Sequence, residues 1–419
     1  MDGHSEIYPQ DVQEADTVIA VMGITGSGKS TFISKIVGED IVPIGHTLKS
    51  ETKLTSAYKF RHKTHGEIHL IDTPGFDDTF TSDADILREI ASFMSRAYQK
   101  NVKLAGIIYL HRISDNRIGG SALRNLRIFK CLCGEDAFKH VMLATSMWDT
   151  IKESIAVQRE TELVGGVGFW KEMRERGSLL ARWSGSTGSA QQIIEDVLSA
   201  RGKYGSATLQ IQKELVDDHK ALDETLAGKE LYKDLEELQL KFEERLSDVL
   251  HQTQEAILQK DGEWREELQQ ERIKLEQQRR QAEESQRALQ VDLKRLLAET
   301  GERYRVQQEH WVEEMRTTNE NIARSDSMLR RVQEENRAKE EELQTQLAKG
   351  ARTEQERREL EANLKKMEGA KKKEDLLRQE LEKKKQRKST LKKVLLAIPK
   401  IVIPLGTLAL AIIGVPPMF

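Results

Sequence analysis

Residues 23–30, GITGSGKS, have the types and the spacing that bind the phosphates of a nucleotide. They match G-x-x-x-x-G-K-[ST] at every fixed position. Glycines let successive backbone N–H groups approach a phosphate, and the lysine brings a positive charge to the β- and γ-phosphates. The serine hydroxyl is predicted to bind Mg²⁺. The predicted nucleotide-binding residues of this segment are Gly23, Thr25, Gly26, Ser27, Gly28, Lys29, Ser30 and Thr31.

The flanking residues predict the elements that hold this loop. Residues 17–22, TVIAVM, are apolar and β-branched, which is typical of a buried parallel strand. Residues 31–37 are predicted to continue as a helix, with Gly38 as its C-cap. Strand, glycine-rich loop and helix in this order are the context that the motif requires; a chance Gly/Ser turn is the alternative.

A second motif, D-T-P-G, occupies residues 72–75 at the end of a strand predicted at 68–71. Asp72 is predicted to hold Mg²⁺ through water, and the N–H group of Gly75 to contact the γ-phosphate. The next residue is Phe76, where many small GTPases carry the glutamine that orients the attacking water. Slow unassisted hydrolysis is therefore expected.

The hydroxyl-rich segment 39–52 is predicted to be a switch loop. In GTPases with such a phosphate loop, one threonine of the switch completes the Mg²⁺ shell and senses the γ-phosphate. Thr52 is the predicted residue and Thr47 the second choice, with an ordinary loop hydroxyl as the alternative. The predicted metal ligands are Ser30, Thr52 and Asp72.

The loop after the strand predicted at 141–144 is expected to read the base. A carboxylate accepts two hydrogen bonds from N1 and N2 of guanine, a pair that adenine does not offer. The usual [NT]-K-x-D appears as S-M-W-D at 146–149, with Met147 where the lysine stem packs on the base. Asp149 therefore favours guanine over adenine.

Two arginines follow the strand predicted at 104–110, at the edge where open α/β sheets bind ligands. Arg112 and Arg117 could stabilise phosphate charge, in cis or across a dimer; solvated or ion-paired surface arginines are the alternative. His111 is more typical of a packing residue than of a catalyst. The predicted catalytic residues are Lys29, Thr52, Gly75 and Arg117.

These motifs together resemble the G domain of a P-loop GTPase of the translation-factor-related (TRAFAC) class. The resemblance is closest to the septin-like and immune-associated (AIG-type) branch, which includes the chloroplast import receptor GTPases, and extends to uncharacterised fungal G-domain proteins. It rests on residues 23–31, 72–75, 109–117 and 146–149, and covers less than half of the chain. It implies GTP or GDP as the ligand with Mg²⁺, and a G-domain dimer in which Arg117 faces the partner's nucleotide.

The composition indicates a core domain followed by an extended region. Of 419 residues, 32% are charged and 5% aromatic, which is too polar for a single globular core. A net charge of −3 argues against a nucleic-acid-binding protein, and Cys131 and Cys133 are expected to be free thiols. The predicted fold is an α/β P-loop G domain with a mostly parallel central sheet and helices on both faces. A long coiled coil and a hydrophobic C-terminal tail are predicted to follow.

The region beyond the predicted G domain has the pattern of long helices. Apolar residues step by three and four at 231–249 and at 360–367, while Glu, Gln, Lys and Arg fill most other positions. A coiled coil is predicted, as one rod or as segments that fold back; a solvated single helix or a partly disordered charged tract is the alternative. The apolar pattern weakens around Gly262, Gly301 and Gly350.

The C-terminal tail combines a basic segment with an apolar one. Residues 383–393 carry only positive charge, and Lys400 is the sole charged residue of 394–419. This pattern predicts a cytoplasmic protein anchored in a membrane by its tail, with interfacial burial or a soluble partner-binding tail as alternatives. The predicted regions are an arm at 1–15, the G domain at 16–203, the coiled coil at 204–390 and the tail at 391–419.

The predictions describe a GTP-binding protein, a slow GTPase switch that dimerisation activates, with a coiled-coil stalk and a membrane-associated C-terminus. Two alternatives stay open. One is a nucleotide-gated coiled-coil scaffold that hydrolyses little GTP, and the other is an ATP-binding P-loop NTPase. The expected partners are GTP or GDP, a second copy of the chain through the G domain or the coiled coil, and a membrane, but no nucleic acid.

Overall fold

The computed structural model describes the chain from residue 17 to residue 396 with short gaps. The described ranges are 17–38, 54–78, 81–115, 119–259, 261–350 and 353–396. They fall into two compact units, the first ending at Arg305 and the second running from Val306 to Leu396. The predicted arm at 1–15 and the apolar tail beyond residue 396 lie outside the described residues. The predicted domain boundaries stay predictions.

A six-stranded sheet forms the centre of the first unit. Its strands are β1 (Thr17–Gly23), β2 (Ser56–His62), β3 (Gly66–Asp72), β4 (Lys103–Arg112), β5 (Val141–Ser146) and β6 (Leu179–Arg182). Their order in the sheet is β2-β3-β1-β4-β5-β6. Strands β3, β1, β4, β5 and β6 run parallel, and β2 pairs antiparallel with β3 at the edge. The predicted mostly parallel sheet is confirmed.

Helices cover both faces of this sheet, and long helices follow it. They are α1 (Lys29–Val37), α2 (Asp83–Gln99), α3 (Gly120–Cys133), α4 (Glu153–Gly165), α5 (Lys171–Glu175), α6 (Thr187–Tyr204), α7 (Gln210–Gln212), α8 (Leu226–Gln259), α9 (Gly262–Leu289), α10 (Leu293–Lys349) and α11 (Glu354–Leu396). The predicted helical C-terminal region is therefore present.

The burial pattern of the strands explains why the sheet has two covered faces. All seven residues of β1 are buried, as expected for a parallel strand between two helical layers. Successive side chains of β4 point to opposite faces. Ile108 packs in one cluster with Phe32 of α1 and Ile194 of α6. On the other face, Tyr109 contacts Phe129 of α3 with ring centroids 4.4 Å apart.

The first part of the long helical region folds back instead of continuing as one rod. Helices α8 and α9 pack against each other through a cluster that includes Val249, Ala256, Leu268 and Leu275. The turn comes just before Gly262, one of the three predicted break points. The pair lies on helices that flank the sheet, because α8 packs against α3 and α9 packs against α2.

In the second unit, α10 and α11 run antiparallel to each other. The Asn336 amide donates a 2.9 Å hydrogen bond to Glu374, and Lys384 donates a 2.7 Å hydrogen bond to Ser325. Of the other predicted break points, Gly350 lies just beyond α10 and Gly301 lies inside it. Within the described ranges, no helix is both long and apolar enough to span a membrane.

Candidate functional site

The loop between β1 and α1 requires glycine at three positions. Gly23, Gly26 and Gly28 have φ angles of 143°, 77° and 94°, which side chains with a Cβ atom rarely adopt. A Cβ atom at Gly23 would lie 2.3 Å from the carbonyl oxygen of Leu110, and one at Gly28 would lie 3.1 Å from the ring of Trp183. The loop backbone therefore follows a path that larger residues would not allow, and a phosphate can approach it closely.

Lys29 begins α1 and is buried, with 6% of its surface exposed. Its Nζ donates hydrogen bonds to the carbonyl oxygens of Gly23 at 3.2 Å and Ile24 at 3.1 Å. Burial lowers the pKa of this ammonium to about 8, and the nearby negative charge of Asp72 opposes that shift. A phosphate beside Lys29 would supply a further opposite charge and favour the protonated form.

Ser30 and Asp72 bring two oxygen ligands together beside this lysine. The Ser30 hydroxyl in the first turn of α1 donates a 2.6 Å hydrogen bond to Oδ2 of Asp72, the last residue of β3. A hydroxyl and a carboxylate are oxygen ligands of the kind that Mg²⁺ prefers, so the pair fits this ion. The described residues contain no cluster of three or more His, Cys, Asp or Glu side chains that could hold a metal alone. Further ligands would have to come from phosphate or water.

The D-T-P-G segment lies directly on the loop. Thr25 donates a 3.0 Å hydrogen bond from its hydroxyl to the carbonyl oxygen of Gly75, and its N–H group donates a 2.9 Å bond to the carbonyl oxygen of Phe76. A Cβ atom at Gly75 would lie 2.6 Å from Nζ of Lys29. The Phe76 side chain is buried at 3% exposure, so it brings no polar group to the phosphate site.

The predicted base-reading segment is tied to the same loop at its first residue. The hydroxyl of Ser146, which ends β5, donates a 2.9 Å hydrogen bond to the carbonyl oxygen of Ser27. Met147 has a positive φ of 62°, and Asp149 lies exposed in the short 3-10 turn Trp148–Thr150. Because β1 and β5 both flank β4 in parallel, their carboxyl ends lie at one edge of the sheet.

Trp183 packs against the phosphate loop, a contact that the sequence did not predict. Its ring packs edge-on against Phe32 at 5.3 Å between centroids, close to Gly28. Its backbone N–H donates a 2.8 Å hydrogen bond to Thr145. The only signal in the sequence was an aromatic residue at the end of the apolar run of β6. The serine-rich segment 184–190 follows directly.

Arg112 also reaches the loop. A Cβ atom at Gly26 would lie 3.1 Å from a guanidinium nitrogen of Arg112, which is ion-paired with Asp115 at 3.1 Å. His111 is buried, and burial lowers its pKa to about 4, so it is neutral near pH 7. It packs edge-on against Trp170, as expected of a packing residue.

The structure thus brings the phosphate-loop residues, Asp72 and Gly75 together at one edge of the sheet. Thr31 lies in α1, where its carbonyl oxygen accepts a 2.7 Å hydrogen bond from Ser34. Thr52 and Arg117, both predicted to be catalytic, lie outside the described residues, as does Thr47. Their roles stay predictions.

Residues 18–128 match the model of a family described as 50S ribosome-binding GTPase. The matched range contains the glycine-rich loop, the D-T-P-G segment and strands β1 to β4. The predicted resemblance to the G domain of a P-loop GTPase is confirmed over this part of the chain.

Several solved G-domain structures are similar to this one. Toc33 from Arabidopsis thaliana with Mg²⁺ and GMPPNP is 15% identical, with a TM-score of 0.38, over 46% of this chain and 87% of that chain. Era from Aquifex aeolicus bound to GDP and AlF4⁻ is 14% identical, with a TM-score of 0.33, over 44% and 56%. The G domain of FeoB from T. maritima is 17% identical, with a TM-score of 0.28, over 45% and 99%.

Proposed function

We propose that this chain is a GTP-binding switch that hydrolyses GTP slowly and depends on a second copy of itself for faster turnover. The observation that carries the proposal is the hydrogen bond between Ser30 and Asp72 beside the buried ammonium of Lys29. This arrangement offers a cation for the phosphates and two oxygens for Mg²⁺ at the start of one helix.

Each group has a defined role in the proposal. Lys29 would neutralise the β- and γ-phosphates, and the backbone N–H of Gly75 would bind the γ-phosphate. Ser30 and Asp72 would hold Mg²⁺, which would supply positive charge to the phosphates. Thr52 is proposed to complete this set from the switch loop.

Slow turnover is proposed because the residue after Gly75 offers nothing to an attacking water. Phe76 is buried and its carbonyl oxygen accepts a hydrogen bond from Thr25. A side chain without a donor or acceptor cannot orient a water molecule. We propose that Arg117 of a second copy stabilises the transition-state charge in trans, since an arginine is suited to phosphate oxygens.

Guanine is the proposed base because of Asp149. Its exposed carboxylate follows β5, two strands from the phosphate loop. An ionised carboxylate accepts hydrogen bonds from N1 and N2 of guanine, whereas the same edge of adenine repels it. Met147 is proposed to pack on the base with its flexible apolar side chain.

The helices beyond the G domain are proposed to form a coiled-coil stalk, and the tail beyond residue 396 a membrane contact on the cytoplasmic side. The antiparallel pairing of α10 with α11 in the second unit supports the first part. The basic segment followed by an apolar one supports the second. Flotation with vesicles of anionic and neutral lipid tests the tail: the full chain should float, and a chain ending at residue 396 should not.

Single-turnover hydrolysis of radiolabelled GTP by the full chain tests the proposal. The rate constant should rise with protein concentration, and Arg117→Ala should remove this rise, while the surface variant Arg176→Ala should keep it. A rate that stays flat with concentration would refute activation by dimerisation. Retention of GTP without cleavage, together with a nucleotide-dependent change in oligomer size, would favour the scaffold.

A further inference from the structure

The beginning of α10 is anchored to the G domain by a buried polar cluster. Tyr304 is 2% exposed, and its hydroxyl bonds to the Glu89 carboxylate of α2. The same hydroxyl lies 3.1 Å from the carbonyl oxygen of Thr55, the residue before β2. The N–H group of Thr55 donates a 3.1 Å hydrogen bond to the same Glu89 oxygen. One carboxylate oxygen therefore joins α10, α2 and the start of β2.

A second row of contacts extends this anchor along α2. The hydroxyls of Ser92 and Thr300 lie 2.6 Å apart in the interior. Arg96 donates a hydrogen bond to the carbonyl oxygen of Leu297, one turn further along α2. Since these residues recur at helical spacing, a continuous face of α2 holds the base of α10.

Both elements that Tyr304 holds lead directly to the phosphate site. Thr55 precedes Ser56, which pairs with Asp72 in the β2–β3 ladder. Asp72 in turn accepts the hydrogen bond of Ser30. On the other side, α2 is the first helix after the segment of Gly75 and Phe76 that lies on the phosphate loop. A shift of either segment would move one of the two groups that bond to Tyr304.

Burying the Glu89 carboxylate costs free energy, so packing alone does not explain why this cluster is polar. Burial raises the pKa of the Glu89 carboxyl, because its charged form loses water, and an Arg303 nitrogen 3.7 Å away opposes this only in part. Apolar side chains of similar volume would fill the space without that desolvation. A buried polar network is sensitive to sub-ångström changes of its partners, because hydrogen bonds weaken steeply with distance and angle.

We propose that the Tyr304–Glu89–Thr55 cluster couples the bound nucleotide to α10, so that the base of α10 is held with different strength in the GTP and GDP forms. The inference rests on the proposed function and adds a route by which the G domain controls the helical region. By thermodynamic linkage, a contact that differs between the two forms must also bias the relative affinities for GTP and GDP.

Hydrogen exchange of the full chain tests the wild-type protein first. The full chain is saturated either with GDP or with GMPPNP and Mg²⁺. Between these two complexes, peptides from residues 293–305 should differ in hydrogen-exchange rate by about fivefold or more. Peptides from 360–380 in α11, which belongs to the second unit, serve as the internal reference and should differ less. Equal exchange of 293–305 in the two complexes would overturn the coupling, and this measurement does not depend on any variant.

Nucleotide titration of variants then tests the cluster itself. Tyr304→Phe keeps the ring and removes the hydroxyl, and it should change the ratio of the GDP and GMPPNP dissociation constants about threefold to tenfold. Glu89→Gln should change that ratio in the same direction, and Tyr204→Phe on α6 should leave it unchanged. Tight binding of both nucleotides with an unchanged ratio in both cluster variants would refute the coupling alone. Failure of the wild-type chain to bind either nucleotide would refute the proposed function as well.

Discussion

The two ends of the nucleotide site differ in how far the protein has organised them. At the phosphate end, three glycines fix the loop, Lys29 is buried, and Ser30 is already bonded to Asp72. At the base end, Asp149 is exposed in a short turn, and an apolar Met147 stands where a lysine is usual. Preorganised groups lose little entropy when they bind a ligand.

This difference predicts that the phosphates contribute most of the ligand's affinity and that the base sets its specificity. The proposed phosphate contacts come from a loop whose backbone path is fixed by three glycines with positive φ angles. The proposed discrimination between bases comes from one carboxylate that is exposed to solvent. We therefore expect large effects on affinity at the phosphate end, and effects on base choice at the other.

The largest effect is expected from Lys29→Met. Removing a cation that contacts phosphates should weaken GTP binding at least 100-fold, since hydrogen bonds between charged groups contribute about 1.5–3 kcal/mol each. Titration of the full chain with a fluorescent GTP analogue measures this, with Lys35→Met in the same helix as the control. A loss of less than threefold would contradict the proposed role of Lys29.

Asp149→Asn should have the next largest effect and should act on base choice. GTP affinity should fall about 10- to 100-fold, because the amide cannot accept both guanine hydrogen bonds. Xanthosine triphosphate should bind the variant more tightly than the wild type. Competition titrations with both nucleotides check this, and Asp196→Asn on α6 is the matched control. Equal losses for both nucleotides would show that Asp149 does not read the base.

Raising the pH should weaken binding through Lys29. Burial lowers its pKa to about 8, so above this pH the side chain is mostly a neutral amine, which must take up a proton when a phosphate binds. The affinity for GTP should therefore fall as the pH rises, by about tenfold from pH 7 to pH 9. Titrations at pH 7, 8 and 9 measure it. The Lys29→Met variant should show a flatter profile, and a flat wild-type profile would contradict the assignment.

The smallest expected effect concerns the link between the two ends. Ser146→Ala removes the donor to the carbonyl oxygen of Ser27 in a buried position, which should lower the free energy of unfolding by about 1–2 kcal/mol. Urea unfolding measures the change. Ser184→Ala in the exposed loop should change it by less than about 0.5 kcal/mol. An unchanged midpoint for Ser146→Ala would show that this hydrogen bond does not tie the ends together.

Much of the phosphate end could be predicted because its signals are local. The strand, the loop and the first helix lie within one short stretch, and the glycine positions follow from backbone geometry that other residues rarely adopt. The strand before Asp72 was equally visible from its apolar run. These elements place Ser30 and Asp72 together once the parallel pairing of β1 with β3 is known.

The contacts that cross the site could not be predicted in the same way. The Ser146–Ser27 hydrogen bond joins residues 119 positions apart, and the contact of Trp183 with Gly28 depends on where β6 enters the sheet. Composition and spacing carry no information on such distances. The register of the loop around Thr52 was likewise not fixed by local sequence.

The helical region shows why a repeat of apolar and charged residues predicts helices but not how these helices fold back on one another. A rod and a folded-back pair bury the same kind of apolar stripe, so spacing alone does not separate them. The turn before Gly262 was one of the predicted break points, whereas Gly301 lies inside α10. The bond between Tyr304 and Glu89 spans 215 positions and had no signal in the sequence.

A competition titration tests whether the chain prefers guanine nucleotides. The full chain, loaded with a fluorescent GDP analogue in the presence of Mg²⁺, is titrated with GTP, GDP and ATP. GTP and GDP should displace the analogue at similar, low concentrations, and ATP should require about 100-fold more or higher. Displacement by ATP at the same concentration as GTP would contradict this preference.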